Sequence, residues 1–163
     1  MKTNSQHIQY FLFSQYLADG IRVTLEIILP AVIFSQFGRI DLGIIMSTGA
    51  FCVSMADGPG PVEHKSNGML YCILFTFLMT LLTGMVNTHI FLMGLLILLS
   101  SFFFTMFSVF GNRAASLGTA VLLIMVLRMD KINTPANVLY DGLLILAGGF
   151  WYMLIALIFF KLY

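Results

Sequence analysis

The sequence predicts an all-α membrane protein: a polytopic bundle of about six transmembrane helices with an N-terminal interfacial helix. Three observations lead to this fold class. Hydrophobic residues make up 60% of the 163 residues and charged residues only 9%, against roughly a half and a quarter in soluble domains. No Asp, Glu, Lys or Arg occurs between Lys65 and Arg113. The apolar runs are continuous and do not alternate, which favours helices over a β-barrel.

Six apolar segments approach the roughly 20 residues that a helix needs to cross a hydrocarbon core of about 30 Å. They are 19–37, 42–57, 67–86, 90–110, 112–129 and 140–160. The third, fourth and sixth are predicted to be simple apolar spans. The first carries Arg22 and Glu26, and the second and fifth are short and rich in small residues. These three are expected to be tilted, broken or buried inside the bundle.

The chain is predicted to be a single integral membrane domain over residues 1–163. Residues 1–18 form its interfacial segment, with a helix from Ser5 to Ala18 whose Tyr and Phe side chains lie at the membrane surface. Residues 19–160 form the six-helix bundle. The longest linkers are 58–66 and 130–139, and both contain proline, which stops a helix.

The Lys and Arg residues predict the orientation of the bundle. The N-terminal side holds five of them: Lys2, Arg22, Lys65, Arg113 and Lys161. The opposite side holds three: Arg39, Arg128 and Lys131. Both termini are therefore predicted to be cytoplasmic.

Composition and motifs exclude several classes of function. A net charge of +1 gives no sign of a nucleic-acid partner. The sequence has no Walker A loop and no GxSxG, HExxH or CxxC motif. Neither an enzyme, a cofactor nor a metal site is expected. Cys52 and Cys72 both fall inside apolar segments, which predicts packing roles for the two cysteines.

The segment from Asp57 to Lys65, Asp-Gly-Pro-Gly-Pro-Val-Glu-His-Lys, combines a rigid bend with four ionisable groups. It is either an anion site that uses Lys65 and backbone N–H groups, or a stiff turn that ends the second span. Asp57, Glu63 and His64 are the candidates for proton coupling.

Two arginines are candidates for binding an anion. Arg113 follows Asn112 at the start of the fifth span, and a guanidinium suits a carboxylate because it donates two parallel hydrogen bonds. Alternatively, Arg113 anchors the helix by reaching lipid phosphate. Arg22 shares one helical face with Gln15, Asp19 and Glu26. That face is either an ion-paired stripe at the membrane edge or the lining of a permeation route.

Small and polar residues recur at helical spacing on the second to fifth spans. The stripes are Gly43, Ser47, Ala50, Ser54 and Asp57; Gly68, Cys72, Thr76, Thr80, Thr83 and Asn87; Ser101, Thr105 and Ser108; and Asn112, Ser116 and Thr119. Such stripes are typical of close helix packing, which is the favoured interpretation. The same hydroxyl groups could also line a pathway.

Four strings together resemble the N-terminal membrane domain of the fusaric acid resistance-like (FUSC) family, in its YccS-like branch. They are Phe13 to Arg22, Gly49 to Lys65, Phe110 to Ala115 and Leu146 to Tyr152. The resemblance implies a six-helix module of the bacterial inner membrane, in a family of efflux transporters of which some are linked to aromatic carboxylic acids. It also implies that basic residues hold organic anions, which here points to Arg113 and Lys65, then Arg22.

Family chains usually continue into a cytoplasmic domain and often a second membrane half. We therefore expect this chain to work as a homodimer or paired with a second membrane half. The predicted function is an efflux carrier or channel for small, possibly aromatic, organic anions, with Arg113, Asn112, Lys65 and Arg22 binding the substrate. The alternative is a structural or assembly subunit of a membrane complex that transports nothing itself.

Overall fold

The computed structural model describes residues 15–57, 62–129 and 135–162. Within these ranges the chain forms α1 (Gln15–Gln36), α2 (Ile40–Ala56), α3 (Val62–Val86), α4 (Ile90–Met106), α5 (Asn112–Met129) and α6 (Pro135–Leu162). A 3-10 turn at Phe107–Phe110 connects α4 to α5. No strand occurs in the described part of the chain. The protein is an all-α membrane helix bundle, as the sequence predicts.

Four helical segments are long and apolar enough to cross a membrane: 66–86, 90–110, 112–129 and 136–159. Helix α2 is apolar but shorter, with 17 residues. Helix α1 has 22 residues and contains the charged Arg22 and Glu26. Together the helices make the chain a multi-pass membrane protein.

Two helices begin five residues earlier than the sequence predicts. Helix α3 starts at Val62 instead of Asn67, so its first turn lies in the predicted linker, and α6 starts at Pro135 instead of Tyr140. Hydropathy does not detect a polar first turn. Proline is also tolerated at the first position of a helix, where its missing N–H would have no helical partner. Of the predicted interfacial helix, only Gln15 to Ala18 are described, and they belong to α1. The rest lies outside the described residues.

The short helices α2 and α5 each pack one side against other helices of the bundle, which agrees with burial among the three predicted alternatives. Helix α2 contacts α1, α3, α5 and α6. Its buried residues are Gly43, Ile45, Gly49, Ala50, Cys52, Val53 and Ala56. Those of α5 are Leu117, Gly118, Ala120, Val121, Ile124, Met125 and Arg128. Both cysteines have free thiols in this core.

Helices α2 and α6 come into backbone contact through glycine. A Cβ atom on Gly49 would collide with the Ile145 carbonyl, and one on Gly148 would collide with the Met46 carbonyl. This approach is possible only without side chains, as in other membrane helix pairs that pack through small residues.

Helix α1 turns its polar side inward. Glu26 is only 3% exposed and Pro30 is buried, whereas the large apolar side chains face outward: Ile21, Leu25, Ile28, Val32 and Ile33. This arrangement is the reverse of a soluble amphipathic helix and fits a helix whose outer face meets lipid.

Consecutive helices run in opposite directions. The starts of α1, α3 and α5 therefore share one end of the bundle with the ends of α2, α4 and α6. We call it the Arg113 end, and the opposite end the Arg128 end.

Candidate functional site

An aromatic cavity opens at the Arg113 end of the bundle. Its volume is about 680 Å³, within the range of roughly 300–1,000 Å³ that small-molecule sites occupy. It is lined by Ala56, Asn67, Gly68, Tyr71, Phe75, Phe107, Phe110, Arg113, Ala114 and Leu117. The lining comes from α2, α3, α5 and the turn before α5, so the site depends on the packing of the bundle and not on one loop.

The turn before α5 places Arg113 in this cavity. Gly111 adopts φ +111°, a left-handed conformation that favours glycine, and it lets the chain leave the 3-10 turn and enter α5. Arg113 then lies in the first turn of α5 and is half-buried. The aromatic wall is built by Phe75 and Phe107, whose ring centroids are 5.9 Å apart with planes inclined at 72°. Phe110 continues the wall at 6.3 Å from Phe107.

A second cavity of about 460 Å³ adjoins the first. The two share Ala56, Phe110 and Arg113. Asn112 and Ser116 line only the second, and their polar groups make it less apolar than the first. The structure thus brings the predicted pair Asn112 and Arg113 together at one site.

The segment from Asp57 to Lys65 is described only in part. Residues 58–61 lie outside the described ranges. Glu63, His64 and Lys65 belong to the first turn of α3, but their side chains lie outside what the structure describes. Their predicted roles in proton coupling and anion binding remain predictions.

Arg22 lies in a buried ionic cluster formed with Glu26, Asp57 and Tyr152, which we call the Arg22 cluster. The Arg22 guanidinium donates from Nη2 to Asp57 Oδ2 at 2.9 Å, and its Nε lies 3.5 Å from Glu26 Oε1. The Tyr152 hydroxyl donates to the same Asp57 oxygen at 2.9 Å. The cluster thereby ties α1, α2 and α6 together within the bundle.

The Arg22 cluster borders the cavities through one residue. Asp57 is the C-cap of α2 and directly follows Ala56, which lines both cavities. Arg22 itself is not among the described residues that line them. Of the four polar residues on this face of α1, Arg22 and Glu26 are therefore ion-paired. The side chains of the other two, Gln15 and Asp19, lie outside the described part.

A second buried ion pair lies at the Arg128 end. Arg128 on α5 donates from Nη2 to Asp141 Oδ2 on α6. The sequence predicts an orientation role for Arg128 and a simple apolar span for the sixth segment, so the pair is not among the predictions. Asp141 lies inside the predicted span 140–160. An acidic residue within a span indicates a buried ion pair, because such residues usually have a partner.

The polar stripes differ in their surroundings. On α2, Gly43 lies against Ala31 and Phe34, and Ser47 Oγ donates to the Ile27 carbonyl at 2.7 Å. Ser101 and Thr105 on α4 and Ser108 in the 3-10 turn are exposed on the outer surface of the bundle. On α5, Asn112 and Ser116 face the second cavity.

The comparison with protein families identifies the chain. A family model described as FUSC-like, "FUSC-like inner membrane protein yccS", matches residues 69–163, which is more than half of the chain. The chain belongs to this FUSC-like family. The family match includes Arg113, the aromatic wall and Tyr152. Searches of curated proteins and of solved structures gave no match.

Proposed function

We propose that this FUSC-like protein is a transporter module for small aromatic organic anions in the bacterial inner membrane. The observation that carries the proposal is the position of Arg113 in a cavity walled by Phe75, Phe107 and Phe110. A guanidinium binds a carboxylate through two parallel hydrogen bonds, and the rings offer stacking and edge contacts to an aromatic ring. An aromatic carboxylate has both features.

The neighbouring residues extend this site. Asn112 supplies an amide beside Arg113, and Lys65 and Arg22 are further candidates for binding the anion. Asp57, Glu63 and His64 are the candidates for proton coupling, and Asp57 lies one residue from the wall that both cavities share. The module transports without changing its substrate covalently, so it is not an enzyme.

The assembly and orientation belong to the same proposal. Both termini are placed in the cytoplasm, so the Arg113 cavity opens towards the cytoplasm, where an efflux substrate is collected. Two copies, or this chain with a second membrane half, form the complete pathway.

The test is flux of benzoate across liposomes that contain the purified full chain. We expect flux from the unchanged protein and a loss of about tenfold or more in Arg113→Ala, because a hydrogen bond to a charged group contributes about 1.5–3 kcal/mol and 1.4 kcal/mol is a factor of ten. Arg39→Ala is the matched control, because Arg39 is exposed in the turn between α1 and α2. Lys65→Ala measures the contribution of Lys65.

Two outcomes count against the proposal. Unchanged flux in both Arg113→Ala and Lys65→Ala would remove the proposed site. No benzoate flux from the unchanged protein in an orientation-controlled preparation would support the alternative of a structural or assembly subunit.

A further inference from the structure

A buried ion pair joins α5 and α6 at the Arg128 end, away from the cavities. The side chains of Arg128 and Asp141 are only 9% and 11% exposed. Desolvating two charges often costs more than their attraction returns, so a pair of this kind is weak evidence for stability. Ionisable groups inside a membrane protein commonly mark the path of an ion or substrate. Stability alone therefore does not explain the pair, and a role in transport does.

The bundle is closed between this pair and the cavity. Helix α5 carries Arg113 in its first turn and Arg128 in its last, about 22 Å apart at 1.5 Å per residue. The α5 residues between them that face inward are packed and at most 8% exposed: Leu117, Ala120, Val121 and Ile124. Among the described residues, the inward face of α5 is therefore closely packed between the cavity and the ion pair.

The closed stretch contains polar groups that an apolar core does not need. Thr76, Thr80 and Thr83 are buried along α3, whose start lines the cavity. Thr83 is 0% exposed, and its hydroxyl has no hydrogen-bond partner among the described residues. A buried hydroxyl without a partner is unfavourable, and it gains one when water or a polar solute enters.

Thr83 lies close to the level of the ion pair. The adjacent Gly84 packs on Val138, one turn before Asp141. Gly142, the residue after Asp141, packs against Phe77 and Leu81 of α3. The hydroxyl stripe of α3 therefore extends from the cavity to the neighbourhood of Asp141.

We propose that Arg128 is a second binding residue for the carboxylate of the transported anion, and that Asp141 occupies it in this conformation. The Asp141 side chain is itself a carboxylate, so it satisfies the guanidinium as a substrate would. While the pair is intact, the pathway is closed at the Arg128 end. A substrate carboxylate that replaces Asp141 fills the same gap while it is bound, and the Arg128 end opens when the solute leaves. This inference rests on the proposed function, since it assumes that the transported solute is a carboxylate.

Two buried thiols can report whether the closed stretch opens. Cys52 and Cys72 are its two cysteines, and both are 0% exposed. Cys52 Sγ lies 3.7 Å from the Ala120 carbonyl oxygen, about midway between Arg113 and Arg128. Cys72 Sγ lies 3.5 Å from the Cys52 carbonyl oxygen. A water-soluble maleimide can reach these thiols only when the closed stretch separates.

The first test measures the labelling rate of the two thiols in the full chain in liposomes. We expect Asp141→Asn to label about tenfold faster than the unchanged protein, the factor that corresponds to 1.4 kcal/mol. The matched control is Asp41→Asn, an equal charge change at an exposed residue of the same end, which should leave the rate unchanged. The exchanged pair, Arg128→Asp with Asp141→Arg, should restore slow labelling and shows that the fold survives.

Two results of the first test would overturn the proposal. One is labelling of Asp141→Asn as slow as in the unchanged protein. The other is equal acceleration in Asp41→Asn, which would mean general loosening of the bundle.

The second test asks whether Arg128 binds a carboxylate. It uses Asp141→Asn combined with Arg113→Gln, so that the cavity residue does not contribute. Benzoate at twice its dissociation constant should slow labelling about threefold, because two thirds of the sites are then occupied. Benzamide, which is neutral, should not, and further addition of Arg128→Gln should abolish the benzoate effect.

The two proposals can fail separately. Labelling that is indifferent to benzoate would overturn the role of Arg128, even if benzoate flux still depended on Arg113. Flux that is independent of Arg113, together with protection that depends on Arg128, would overturn the cavity site instead.

Discussion

At the scale of the residue, the arginines that lie within the helices differ in their surroundings. Arg22 is held by Asp57 and Glu26, and Arg128 by Asp141. Arg113 lines a cavity whose other walls are largely aromatic. Arginine remains protonated under all relevant conditions, so each site must supply the compensating groups. In the first two sites the chain supplies carboxylates, and we propose that a substrate carboxylate binds at the third.

The hydroxyl of Tyr152 is predicted to stabilise the fold. Tyr152→Phe removes the hydrogen bond to Asp57 and should lower the free energy of unfolding by about 1.5–3 kcal/mol, the usual contribution of a hydrogen bond to a charged group. Unfolding in mixed micelles measures the change. Tyr140→Phe is the matched control, since Tyr140 lies on the same helix and is 50% exposed. Equal stability of the two variants would show that the hydroxyl does not hold the Arg22 cluster together.

The sequence could not predict the ionic contacts between helices. Arg22 and Glu26 are four residues apart on one helix, so their proximity follows from helical geometry. Asp57 lies 35 residues from Arg22 and 95 from Tyr152. Such contacts depend on how α1, α2 and α6 pack. Arg113 and Asn112 were found because they are adjacent and follow a long uncharged run, whereas the aromatic wall is assembled from separate helices.

At the scale of the element, small residues let neighbouring helices approach closely. Helices α2 and α5 are the shortest predicted spans, and Gly49 on α2 and Gly118 on α5 lie against backbone carbonyls of other helices. Their composition predicts spans that are tilted, broken or buried, and the packing agrees with burial. The predicted starts of α3 and α6 are too late, because hydropathy depends on apolar side chains and not on where backbone hydrogen bonding begins.

The contact between α2 and α6 gives a prediction for this scale. Gly148→Ala should destabilise the bundle by about 1–3 kcal/mol, because the added methyl group meets the rigid Met46 carbonyl. Gly94→Ala on α4 is the matched control, since a Cβ atom there meets nothing within 4 Å. That variant should be neutral or gain up to about 1 kcal/mol from helix propensity. A Gly148→Ala variant as stable as Gly94→Ala would contradict the close packing of α2 on α6.

At the scale of the whole molecule, the outer surface of the bundle is apolar, while several polar and charged side chains are buried inside it. Large hydrophobic side chains are exposed on every helix, with Ile90 and Phe91 of α4 exposed by 92% and 85%. Such a surface is stable in lipid, where no hydrophobic effect favours its burial. The few charges are concentrated in the interior or at the ends. Composition alone was enough to predict this arrangement.

The excess of Lys and Arg at the Arg113 end predicts the orientation of the whole molecule. In a background without the native cysteines, Thr88→Cys at the Arg128 end should react with an impermeant maleimide from the periplasmic side. Ser108→Cys at the Arg113 end should react only after the membrane is permeabilised. Both positions are exposed, so orientation decides the result. The reverse pattern would place the cavity on the outside.

The central claim is that Arg113 binds an aromatic carboxylate in the cavity between α3, α5 and the turn before α5. Equilibrium binding of benzoate and benzamide to the detergent-purified full chain tests this claim most directly. We predict that benzoate binds more tightly than benzamide. Arg113→Gln should lower the affinity for benzoate by about tenfold or more and leave the affinity for benzamide unchanged. Equal binding of the two ligands, or benzoate binding that is indifferent to Arg113→Gln, would contradict it.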